Sequence, residues 1–176
     1  MTCCSSSERV CHVVKDGEDN FMYMYETILL DLGVTLPFDH FTGDVLWMIG
    51  VALLQLHPNG WVSLQAFKVV CLALTMIPLA LVFLSHYTVR VRKKVDWVSL
   101  APLPNSSLFT AYTASYKGFK SRFVKIKAVN GASFCFDPRP MPLYWRLPLK
   151  AQVTHKSQLS LEGKVDLQLL DEFPKG

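Results

Sequence analysis

The run from Val69 to Val89, VVCLALTMIPLALVFLSHYTV, carries no charge between Lys68 and Arg90 and is followed at once by RVRKK. A chain holding such a run must either lay it across a membrane or bury it in a core. The length criterion for a spanning helix, roughly 20 mostly apolar residues, is met. Arg90, Arg92, Lys93 and Lys94 would then form a basic flank on one side. A membrane protein anchored by a single helix at 69–89 is therefore one reading. Against it stand Pro78 in the middle and the polar end Ser85, His86, Tyr87, Thr88. Proline lacks an amide hydrogen and clashes with the preceding turn, so in water it marks a helix start. The expected outcome is two buried helices meeting near Thr75 to Pro78.

The chain has 176 residues, enough for one domain that buries roughly two-thirds of its unfolded surface. It is 51% hydrophobic and 18% charged, more apolar than an average soluble domain, and the central run holds much of the excess. Five cysteines at irregular spacing do not form a disulfide framework, which points to a reducing intracellular setting, nucleus or cytoplasm, with the membrane as the alternative. MTCCSSSERVCHVVKDGEDN has polar residues where an export signal needs an apolar stretch. Cys3, Cys4, Cys11 and His12 fit no zinc-ligand spacing. The expected division is a disordered tail over 1–18, a single domain over 19–150, and a short tail with a closing helix over 151–176.

Phe21, Tyr25, Ile28, Leu29 and Leu32 recur at helical spacing, with Asp19 or Asn20 placed to cap and Gly33 to end a first helix. Leu36, Pro37 and Phe38 turn the chain, and Asp39 can cap a second helix with Phe41, Val45, Met48, Ile49 and Ala52 on one side. LHPNGW breaks that helix, and Pro58 suits the first turn of a third, whose Trp61, Leu64, Phe67, Cys71 and Leu74 would face inward. Alternation around Lys93 to Asp96 predicts a strand pair, followed by a loop from Ala101. Tyr112, Tyr116, Phe119 and Phe123 fall at helical spacing. Arg122 to Ala128 alternates again, and Asn130-Gly131 before SFCF predicts a hairpin. Leu143, Tyr144 and Trp145 would pack a proline-rich segment over the core, and Val165, Leu169 and Leu170 suggest the closing helix. The fold class that follows is α+β, an amino-terminal cluster of about four helices packed with a small antiparallel sheet of hairpins.

The pieces LPFDHFTGDVL, QLHPNGWVSLQAFKVVC, WVSLAP, LFTAYTASYKGFKSRFVKIK, FCFD and PLYW come in an order that resembles the plant domain described as a putative gypsy-type transposon, or transposase-like, domain. The similarity runs from about Phe21 to Trp145. The resemblance implies a protein derived from a plant retrotransposon, in a group whose activity is not established.

A transposase needs three carboxylates converging on two metal ions. Glu26, Asp31, Asp39, Asp44, Asp96 and Asp137 fall at helix ends, loops and turns, where capping and solvation account for them. Cys71 and Cys135 lie in apolar patterns, and His57 precedes Pro58 at a helix entrance, as a capping or packing residue would. No catalytic residue, metal site or cofactor follows from the sequence, and a transposase without a recognisable active site stays an alternative.

The one concentrated electrostatic feature is Lys117, Lys120, Arg122, Lys125 and Lys127, interleaved with Phe119 and with Arg90, Arg92, Lys93 and Lys94 as a second cluster. Cations meet phosphates and aromatic faces stack on unpaired bases, so nucleic acid is one expected partner. On an alternating strand the same lysines also serve as a solvated edge that blocks aggregation. Self-association is the other expected partnership, and a membrane is the third.

Overall fold

The computed structural model describes residues 2–3, 21–92, 97–104, 108–109, 119, 122–139, 141–142 and 156–172. Phe21 to Tyr25, FMYMY, alternates aromatic and methionine side chains, a period of two that suits a strand buried on both faces. It forms β2 (Phe21–Tyr25), and all five residues are buried. The expected first helix is corrected: only α1 (Glu26–Leu30) is helical, so Phe21 and Tyr25 belong to the strand before it. Gly33 does adopt the left-handed conformation after that turn, with φ 62°.

β1 (Thr2–Cys3) and β2 flank β5 (Phe123–Lys127), antiparallel to it on either side. The register Phe21↔Lys127, Tyr23↔Lys125, Tyr25↔Phe123 puts those six residues on one face, and Met22, Met24, Val124 and Ile126 on the other. Phe123 therefore starts a strand and does not continue a helix. Tyr112 and Tyr116 lie outside the described residues.

α2 (His40–Ile49) begins as expected, with the Asp39 carboxylate accepting from the Thr42 amide at 2.7 Å, and ends at Gly50 in the left-handed conformation. That end leaves Ala52 beyond the helix. α3 (Pro58–Ala73) carries Pro58 in its first turn, where a missing amide hydrogen costs nothing. Trp61, Leu64, Phe67 and Cys71 face inward as expected, while Leu74 is half-buried at the end of the helix. α4 (Ala80–Leu84) follows a non-helical stretch around Pro78.

The central run is thus split where proline demands it, and its last residues enter β3 (Tyr87–Arg92). No helix among the described residues is long and apolar enough to cross a membrane, so a single helix at 69–89 is not what this run forms. Its expected complete burial is also corrected: Val69, Leu72 and Ile77 are 65%, 78% and 74% exposed. Among the described residues, α3 packs by its Trp61–Phe67–Cys71 side and leaves Val69 and Leu72 on the outside.

β3 and β4 (Trp97–Pro102) form the expected antiparallel pair, with Arg90 opposite Ser99. Ala101 and Pro102 belong to that strand, pairing with Thr88 and Tyr87, and not to the loop. Asn130 and Gly131 take positive φ, 56° and 73°, and the Ala132 amide closes the turn on the Val129 carbonyl at 3.1 Å. The hairpin expected there does not form. Cys135 instead bridges in parallel to Phe38, whose amide donates to the Phe134 carbonyl at 2.8 Å. The β5 edges were already taken by β1 and β2, so the departing chain pairs with the entrance of α2.

Rings hold the layers together. Phe38 stacks on Trp61 at 5.7 Å, Phe41 on Phe67 at 5.3 Å, and Phe83 lies 5.3 Å from Phe67 and 4.7 Å from Tyr87. This series links α2, α3, α4 and β3, with each pair contributing about 0.5–1.5 kcal/mol beyond its buried area. α5 (Leu161–Glu172) closes the domain against α4. It buries Gly163, Leu167 and Leu170, whereas the expected Val165 and Leu169 point outward. The described residues form an α+β fold with five α-helices and two small antiparallel sheets among them. Leu143, Tyr144 and Trp145 lie outside the described residues.

Candidate nucleic-acid interface

β5 sets the geometry of the basic cluster. Side chains two apart on a strand share a face, so Lys125 and Lys127 project from the same side as the aromatic residues of β2. The Lys125 ammonium lies 3.8 Å from the centre of the Phe21 ring and 5.8 Å from that of Tyr23. Lys127 is exposed at the end of the strand. Just before β5, the Arg122 guanidinium meets the Glu26 carboxylate at 3.0 Å, and the Arg122 carbonyl accepts from the Glu26 amide at 3.0 Å. Arg122 is thereby held at the start of α1 while its side chain stays 74% exposed.

The aromatic half of the cluster is occupied. Phe119 is 6% exposed, with its ring 4.9 Å from Tyr25, 4.7 Å from Trp97 and 5.4 Å from His57. Phe21, Tyr23 and Tyr25 share the face of Lys125 and are buried as well. No ring of this group presents a face to a base, which leaves the cations alone. Arg90 is exposed on β3, in the other sheet. Arg92 is the last residue of β3, and Lys93, Lys94, Lys117 and Lys120 lie outside the described residues.

The aromatic ladder of β2 beside Lys125 escaped the sequence reading, although the strict alternation of FMYMY was the available signal. His57 accepts at Nδ1 from the Asn59 amide at 3.2 Å, capping α3. That geometry gives it a folding role.

The acids are accounted for in the same way. Asp39 caps α2 and meets Lys68 at 2.6 Å. Burial works to raise its pKa, but the hydrogen bonds from Lys68 and Thr42 prevail and lower it. Asp44 and Asp137 both hold the Arg139 guanidinium, which lies 4.9 Å from the Trp47 ring. The hydrogen bonds from Arg139 keep Asp137 well below the usual carboxylate range. This group borders a groove of about 380 Å³ between α2, α4 and α5, floored by Met48, Ala80 and Leu159. Two carboxylates already meet its one cation, so the groove is not built for phosphate.

Burial pushes the Cys71 thiol up to about 11, with the Asp166 charge adding to the shift, and burial raises Cys135 as well. Neither is an activated nucleophile. Among the described residues, no three His, Cys, Asp or Glu side chains group so as to hold a metal ion.

Fold and site together define a small α+β domain whose polar residues cap, clamp and neutralise one another. Residues 24–91 match the family described as putative gypsy type transposon, so this stretch is similar to a gypsy-type transposon domain. The match runs from the end of β2 into β3, so it includes QLHPNGW and the split central run but not the basic strand β5. No curated protein and no solved structure matches the chain.

Proposed function

We propose that this is a non-enzymatic association domain that contacts nucleic-acid phosphates through charge alone. The observation that carries the reading is the row of cations along β5, Arg122 exposed just before the strand, Lys125 half-buried within it and Lys127 exposed at its far end, with no acid on the strand itself. Exposed cations release counterions when they meet phosphate, which gives affinity without sequence preference. The buried rings of Phe119, Phe21 and Tyr23 remove base stacking from the mechanism, so single strands and duplexes compete on charge density.

The deciding experiment is anisotropy of labelled oligonucleotides at several salt concentrations. Weak binding that falls steeply with salt and ignores base sequence supports the reading. Binding that is absent at low salt, or unaffected by Lys127→Ala with Arg90→Ala, overturns it. Metal-dependent strand transfer abolished by a single carboxylate substitution would overturn the non-enzymatic part.

A further inference from the structure

We infer that the corner between α3 and α4 rests on an anionic lipid bilayer, its apolar side chains entering the interface without spanning it. Val69, Leu72 and Ala73, spaced i, i+3, i+4, share the outer face of the end of α3, and Ile77 stands out from the link that follows. Leu72 and Ile77 are the most exposed aliphatic residues of the corner, at 78% and 74%. Val70, Leu74 and Met76, between them in sequence, pack against the core. The corner is therefore anchored, and its outward side chains are held out by a fixed turn.

That turn is finished as a water-free surface requires. The Met76 amide donates to the Cys71 carbonyl at 2.8 Å and the Thr75 amide to the Leu72 carbonyl at 3.1 Å, the nested pair of bonds that closes a helix through a left-handed residue. Glycine ordinarily fills that position. Here it is Thr75, at φ 54°, where a branched side chain is strained. Its hydroxyl donates to the Leu74 carbonyl at 2.7 Å, a bond that glycine could not make. On a wetted surface water would cover that carbonyl, whereas in hydrocarbon every open backbone group is costly. The last turn of α3 also lacks the basic residue that commonly answers a helix dipole in water.

A second copy of the chain fits this corner less well. The corner exposes on the order of a few hundred Å² of apolar surface, against about 800 Å² per partner in a stable protein interface. Such interfaces also carry roughly one hydrogen bond per 100–200 Å², and the corner's one hydroxyl is turned on its own backbone. A bilayer asks for neither. From Val69 to Val89 no residue is Lys, Arg, Asp or Glu, and the chain's net charge of +4 draws it to an anionic leaflet. Apolar insertion and charge attraction are the two contributions that together hold a protein on a bilayer. The contact lies on the membrane, in keeping with α3 and α4 each being too short to cross it. It does not rest on nucleic-acid binding.

Flotation of the full chain with vesicles tests it. Vesicles of phosphatidylcholine mixed with phosphatidylserine should carry the wild type upward, and vesicles of phosphatidylcholine alone should carry less. Leu72→Ser with Ile77→Ser should weaken partition by about tenfold or more, as loss of several inserted methylenes does. The unfolding midpoint should stay in place, because both side chains are already exposed. Leu30→Ser, at a leucine that is 73% exposed on α1, should float as the wild type does. Thr75→Gly relieves the strain and should melt no lower, yet float less, a split that a merely structural role would not produce. A wild-type chain that ignores anionic vesicles overturns the inference. So does flotation that the double serine variant leaves unchanged, which would show charge attraction alone. Self-association of the lipid-free wild type that the same variant abolishes also overturns it, by revealing a second copy on the corner.

Discussion

Lys68 Nζ lies 2.6 Å from Asp39 Oδ2, and the other oxygen of the same carboxylate accepts the Thr42 amide at 2.7 Å. One acid therefore starts α2 and ties it to the middle of α3. Asp39→Ala should cost about 1–2 kcal/mol, as loss of a helix cap does. Lys68→Met should cost under about 1 kcal/mol, because the pair is partly exposed. Urea unfolding of both variants checks the ranking. The pKa of Asp39 is lowered in the fold. Its contribution is therefore complete above the unfolded value of about 3.9 and fades as pH falls through the lower folded value. Asp39→Asn should accordingly lose less stability relative to wild type under strongly acidic conditions than at neutral pH.

Gly43 is a helix residue with no room for a side chain. A Cβ there would stand 2.6 Å from Cys135 Sγ. Alanine normally gains about 1 kcal/mol over glycine inside a helix, but overpacking costs about 1–3 kcal/mol. Gly43→Ala should therefore destabilise, and Cys135→Ala should relieve part of that cost. A double-mutant cycle from unfolding curves measures the coupling. Additive losses would mean that the two sites do not touch.

The second half of α2's environment was not legible, and the reason is physical. Asn130-Gly131 makes the tight turn its residues dictate, yet which strand the chain joins next depends on which edges are free. β1 and β2 already hold β5, a non-local fact that no local pattern carries. Local rules did succeed where one residue decides: Asp39 capping, Pro58 opening α3, and Pro78 splitting the apolar run. The helix expected at Phe21 failed because Phe21, Tyr25 and Ile28 fit a helical face by chance, while the stronger two-residue alternation of FMYMY went unweighed. Of the candidate site, the cations were readable as charges. Their partners Glu26 and Phe21 were not, since these come from α1 and β2, about a hundred residues away in sequence.

Asp166 should be a liability at neutral pH. Burial, with Glu162 next in importance, raises its pKa. A carboxyl that binds its proton more readily in the fold stabilises the protein as pH falls through the folded pKa, and the gain is complete below the unfolded value. At neutral pH the charge works against folding. Asp166→Asn should raise the melting temperature slightly, a gain of up to about 0.5 kcal/mol. The difference from wild type should vanish once the pH falls below the unfolded value of about 3.9. A variant that is less stable at neutral pH would show that the charge has a favourable partner in the fold.

Phe119 separates a core role from a stacking role. Its ring joins Tyr25, Trp97 and His57, so Phe119→Ala should destabilise by about 3–5 kcal/mol. Phe119→Leu keeps most of the volume and should fold. If the interface works by charge, the leucine variant binds oligonucleotide with unchanged affinity. An exposed stacking ring would instead forfeit about 1–3 kcal/mol of binding. The salt dependence tests the cations themselves. With Arg90, Arg122, Lys125 and Lys127 each meeting one phosphate on a single strand, the logarithm of affinity should fall with the logarithm of salt at a slope of roughly −3. Changing Arg90 and Lys127 to Ala removes two contacts and should flatten that slope by about 1.4. Phe119→Leu should leave it alone. A slope near zero in the wild type would mean that these four cations are a solvated face, and a slope that steepens on duplex DNA by the ratio of about 0.9 to 0.7 would show that phosphate density alone is being read.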